Sequence, residues 1–103
     1  MFGWKKKTDK AAWAKAIYGK EPKSIQHESE EHLSELTTFM LQQHLRIVME
    51  SSQIIHNTKN ADTRKSRIDL CHQHHQEMLK LKPFCNPEQL AMIQNAENAM
   101  KGI

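Results

Sequence analysis

Proline and glycine are scarce, at three of each in 103 residues. A chain with so few turn formers is a poor candidate for many short strands joined by tight turns, which depend on those residues. Long hydrophobic runs are missing as well. No stretch approaches the roughly 18 apolar residues of a membrane span, and the N-terminus lacks the apolar core of a signal peptide. The expectation is a cytoplasmic protein whose two cysteines are free thiols. Also lacking are a glycine-rich phosphate loop, a nucleophile elbow and paired carboxylates placed in a cleft. The reading is therefore not an enzyme.

What remains is rich in Gln, Glu, Lys, Leu and Met, all good helix formers. Mean hydropathy is −0.76 and charged residues make up 26 %, so the chain reads as one small polar domain. The net charge of +3 hides an asymmetry: residues 1–23 carry seven lysines against Asp9 and Glu21. Four of the six aromatics, Phe2, Trp4, Trp13 and Tyr18, sit in that same piece. A basic aromatic arm precedes a nearly neutral body.

Helix punctuation divides the rest. Thr8 is placed to cap a short helix over TDKAAWAKAIYG, which Gly19 would close in the left-handed conformation. Pro22 blocks continuation, and Ser24 or Ser29 begins the next element, with Glu28, Glu30 and Glu31 near its positive end. No breaker follows until about Asn57. At 100° per residue, Leu33, Leu36, Met40, Leu41, His44, Ile47, Val48, Ser51, Ile54 and Ile55 share one broad face. Asn60 and Asn86 then act as caps, the second opening Asn86-Pro87-Glu88-Gln89 with the residues of a capping box. The spacing predicts helices over about 24–57, 61–82 and 87–101. The fold expected is all-α: an antiparallel three-helix bundle with one long helix, plus a short N-terminal helix.

Residues Ser51, Ile54, Thr58, Lys59, Asn60, Asp62, Thr63, Ser66, Arg67, Asp69 and Leu70 form a pattern around the second turn. It resembles a helical-hairpin segment recurring in uncharacterised bacterial and prophage-type proteins, with Arg64 and Lys65 where that segment has aromatics. The resemblance spans about a fifth of the chain. It implies a hairpin and a bacterial source, and no activity.

CHQHHQE, residues 71–77, concentrates one cysteine and three histidines. On a helix Cys71 and His75 project inward together, with His72 and His74 nearer the rim. Setting Asn57 opposite Ala61 puts His44 level with positions 74 and 75, and setting Lys82 opposite Pro87 puts position 94 beside His75 and position 98 beside Cys71, where the third helix offers Gln94 and Glu97. A zinc site of His44, Cys71, His75 and Glu97 is one reading, since zinc favours nitrogen and sulfur donors. The plainer reading makes these histidines neutral, hydrogen-bonded core residues, because no CxxC, HxxxH or ExxH pair accompanies them. No cofactor is then expected. A third reading is a pH response, since burial opposes charging His44 and His75 together.

Two surfaces invite partners. In the arm, Phe2, Trp4, Lys5, Lys6, Lys7 and Trp13 could bind another protein, though Trp13 and Ile17 are more simply folded against the bundle. Lys59, Arg64, Lys65 and Arg67 form a basic patch at the second turn. Without a recognised motif, nucleic acid and membrane surfaces are weak candidates. The overhang of the long helix and the six methionines favour an interaction or adaptor protein, self-associating as a homodimer.

Overall fold

The computed structural model describes residues 9–20 and 29–103. Among the described residues four α-helices run as α1 (Lys10–Tyr18), α2 (Glu30–Asn57), α3 (Ala61–Leu81) and α4 (Pro87–Met100), with a 3-10 turn at Lys82–Phe84. The fold is all-α, with three packed longer helices behind one short one.

Side-chain caps set each start. Asp9 Oδ1 accepts the Ala12 N–H at 3.0 Å, so Asp9 rather than Thr8 is the cap of α1. Ser29 takes this role for α2, accepting from His32 N–H at 3.0 Å, with Glu30 and Glu31 in the first turn. The long helix thus begins at Glu30 from Ser29, the second of the two serines named as possible starts; Ser24 lies outside the described residues. Asn60 Oδ1 receives both the Asp62 and Thr63 amides. The capping box at Asn86 and Gln89 is complete in both directions. Gly19 ends α1 at φ 79°, where a side chain would be strained, and its N–H reaches Lys15 O at 2.8 Å. Pro83 turns the chain after α3, one residue earlier than the spacing suggested.

Three residues, Thr58 to Asn60, join α2 to α3, and so short a link forces antiparallel packing. Arg64 closes the turn by donating to Thr58 O at 2.8 Å. Helix α4 runs parallel to α2: Gln89 reaches Ser34 and Thr38 at one end, and Ser52 donates to Ala99 O at the other. Helix α2 thus lies along both α3 and α4, which touch each other less.

The main core gathers Leu41, Val48, Ile55, Cys71, Met78, Leu81, Ile93 and Ala96. A second cluster, Trp13, Ala14 and Leu33, sits where α1 covers the first turns of α2. The overhang of α2 is therefore met by α1. Of the expected stripe on α2, Leu33, Leu41, Val48, Ser51 and Ile55 are buried, whereas Leu36, Met40, His44, Ile47 and Ile54 are half-buried at its edge. Thr37 and Ser52 take buried places because each hydroxyl has a partner. The methionines are largely interior fillers: Met78 is buried, Met40, Met92 and Met100 pack on the core, and Met49 is exposed. No helix among the described residues is long and apolar enough to cross a membrane.

Candidate functional site: the histidine seams of α3

Neighbouring residues on a helix point about 100° apart. His74 and His75 therefore straddle the direction in which Cys71 and Met78 face the core. His74 turns toward α2, where its Nδ1 lies 2.8 Å from Nδ1 of His44, with ring centroids 5.0 Å apart and tilted by 51°. His75 turns toward α4, and its Nε2 lies 2.9 Å from Glu97 Oε2. The expected register of α2 on α3 is the observed one.

A Nδ1···Nδ1 contact needs one proton between two nitrogens. One ring is the Nδ1–H tautomer and donates, and the other offers a bare Nδ1 and carries its proton on Nε2. His44 is held below the ordinary histidine range by burial first and by the nearby His74 second, against a smaller opposing pull from Glu77. His72, placed at the rim by the sequence reading, is exposed.

His44, Cys71, His75 and Glu97 do not converge. They are divided between two seams, with Cys71 enclosed between them and its thiol 3.9 Å from Val48 O. Among the described residues, no three His, Cys, Asp or Glu side chains come together as a metal centre requires. The reason is the 100° step: His74, placed at the rim by the sequence reading, takes His44, and so His75 is left for Glu97. Burial raises the Cys71 thiol above its ordinary value, and Arg67 and the adjacent Ser51 hydroxyl partly oppose this. That hydroxyl is buried without a partner in hydrogen-bonding geometry. Cys85 is half-buried, with its thiol 3.2 Å from Leu81 O, and burial raises it also.

Trp13 is spent in the fold. It is 5 % exposed, donates Nε1–H to Thr37 Oγ1 at 2.8 Å, and stacks on Phe84 at 5.7 Å between centroids. It is thus unavailable as a surface for a partner. Phe2, Trp4, Lys5, Lys6 and Lys7 lie outside the described residues. The basic patch is loosely drawn. Lys59, Arg64 and Lys65 are exposed, but Arg64 closes the turn and Arg67 is half-buried near Cys71.

Sequence reasoning missed Gln89. It is 1 % exposed, and its Nε2 faces Ser34 O, Ser34 Oγ and Thr38 Oγ1 at 3.0, 3.2 and 2.9 Å while Oε1 accepts from Asn86 N–H. Its place in the capping box was the only signal, and that does not reveal the tie to α2. Two surface depressions, one lined by Glu50, Gln53, Ile54, Asn57 and Thr58 and the other by Ser66, Arg67, Asp69, Leu70 and Gln73, are open and shallow. No protein-family model, curated protein or solved structure matches the chain.

Proposed function

We propose that this is a small non-catalytic interaction protein that pairs with a second copy of itself through the outer side of α2. One observation supports the reading most. Phe39 is 54 % exposed, and Ile47 and Ile54, on the same side, are half-buried without joining either core cluster among the described residues. At 100° per residue, Phe39, Gln43, Arg46, Ile47, Glu50 and Ile54 fall within about 100° of arc. A large exposed aromatic aligned with aliphatics is unusual on a surface that meets only water.

Charge favours a copy of the same chain as the occupant. Arg46 and Glu50 form an ion pair one turn apart, at 3.1 Å, in the middle of that face. In an antiparallel pair about a two-fold axis level with residue 48, each Arg46 would meet the partner's Glu50 with opposite charge. The same register brings Phe39 within a turn of the partner's Ile54. Self-pairing thus satisfies both the apolar and the charged members of the stripe.

Sedimentation equilibrium of the full chain across the micromolar range tests this. The wild type is expected to dimerise, and Phe39→Glu with Ile47→Glu to sediment as a folded monomer by circular dichroism. A wild type that stays monomeric throughout, or a double variant that still dimerises, would overturn the reading.

A further inference from the structure

Histidines 74 and 75 are adjacent in sequence yet bind opposite neighbours through bonds that answer a proton in opposite ways. We propose that they make α3 an acid-responsive element, loosened from α2 and tightened against α4 as pH falls. The inference stands apart from self-association and rests on the two contacts alone.

On the α2 side, the two Nδ1 atoms are 2.8 Å apart. One proton fits between them, and a first added proton can be shared in the same N–H···N line. A second added proton leaves two N–H groups pointing at each other at that distance, so the rings must part. The pair therefore holds at most one positive charge while α2 and α3 stay in register. In the unfolded chain both rings charge freely near pH ~6.5.

The surroundings do not relieve this. Helix α3 supplies Glu77, whose pull on His44 is weaker than the combined effect of burial and His74. Glu77 also accepts from Lys80 at 3.1 Å. Helix α4 presents Glu97 to His75 instead. No charged group of α1 or α2 is among the causes that shift His44.

On the α4 side the arrangement is reversed. A neutral His75 donates to the Glu97 carboxylate, and protonation turns that hydrogen bond into an ion pair across the seam. The sequence CHQHHQE thus resolves into a contact that a second added proton breaks, followed immediately by one that an added proton turns into an ion pair. Consecutive placement is what makes the response directional.

For the α2 seam, His44 has a folded-state value below its unfolded one, so the folded state binds fewer protons in acid. Its stabilising contribution is complete above pH ~6.5 and is lost as pH falls through the lowered value. On the α4 side the contact survives protonation, because a charged His75 still directs its N–H at the Glu97 carboxylate.

Urea unfolding of the full chain at a fixed protein concentration, from about pH 7.5 to about pH 5, reads both effects. His44→Gln keeps a hydrogen-bonding group but cannot charge, and is expected to flatten the acid loss by up to about tenfold in the unfolding constant per pH unit. His75→Gln is expected to steepen it. An unchanged slope in either variant, or a flatter one in His75→Gln, would overturn the proposal. Nitrogen-15 imidazole spectra of the wild type provide a second reading without substitution. One of His44 and His74 is expected to stay neutral for as long as the α2–α3 amides keep their native shifts. Two charged rings beside undisturbed native amides would equally overturn it.

Discussion

Gln89→Glu changes one buried NH2 to an oxygen at nearly constant volume, which makes it the sharpest probe of how α4 is attached. The native amide nitrogen faces the Ser34 carbonyl at 3.0 Å and the Thr38 hydroxyl at 2.9 Å. With a carboxylate there, both the Ser34 and Thr38 hydroxyls can turn to donate. The Ser34 carbonyl cannot, and two acceptors then confront each other in a site where Gln89 is 1 % exposed. Losing one buried hydrogen bond costs about 1 kcal/mol, and burying a charge with only hydroxyl partners adds to it, for a total of roughly 2–4 kcal/mol near neutral pH. Gln89→Leu avoids the charge but deprives the Asn86 amide of its acceptor, for roughly 1–2 kcal/mol. The glutamate variant should therefore be the less stable of the two at about pH 7.5, by urea midpoints followed with far-UV circular dichroism. Burial raises the introduced carboxyl above its ordinary value, so the folded variant takes up a proton before the unfolded chain does. Relative to wild type at each pH, the glutamate variant gains stability as pH falls toward about 4, because its new O–H can donate to Ser34 O. A glutamate variant no worse than leucine at about pH 7.5, or a difference indifferent to pH, would refute this account of the tie.

Other expectations are briefer. Trp13→Phe removes the donor to Thr37 and part of the stack on Phe84, and should cost about 1–2 kcal/mol in urea unfolding, against about 3–5 for Trp13→Ala. Asn60→Ala frees the two amides that start α3 and should lower stability by about 1 kcal/mol in the same assay. Under native conditions a disulfide reagent should modify Cys85 slowly and leave Cys71 untouched until unfolding, since both thiols are raised by burial and only Cys71 is fully enclosed. Prompt reaction of Cys71 in the native protein would place that seam in fast exchange with solvent.

The helix ends were legible because caps are local chemistry. Asn60, Asn86 and Gly19 act within a few residues of themselves, and each does in the structure what its type suggests. The level of His44 against His74 was legible too, since a three-residue turn leaves little freedom in register. Direction around the helix was not. On α3 the apolar residues are too few to fix the inward bearing to better than one residue, and an error of that size exchanged His74 for His75. Contacts between distant elements were less legible still. Nothing in the local sequence links Trp13 to Thr37 and Phe84, or Gln89 to Ser34, because those pairings depend on how α1 and α4 dock on α2.

The unequal burial of the helices explains why the histidines matter to the fold. Helix α2 buries seven residues over its 28 positions, whereas α3 buries Cys71, Met78 and Leu81 over 21. With burial worth roughly 1.5–3 kcal/mol for a fully enclosed aliphatic or methionine side chain, those three residues supply only a small part of what orders a helix of that length. Half-buried contacts contribute the remainder: Ile68 and Leu79 pack against the core, and His74 to His44 and His75 to Glu97 are half-buried polar pairs that face other helices. With only three enclosed residues on α3, a polar bond worth about 1 kcal/mol is a sizeable share of what its two seams contribute. Replacing either histidine by leucine should therefore do two things at once: stabilise the bundle by enlarging its apolar core, and remove the sensitivity to acid on that side. If stability and acid response instead change independently at the α2 seam, α3 is held by something other than its histidines, and the lean apolar face is not the reason for the pairs.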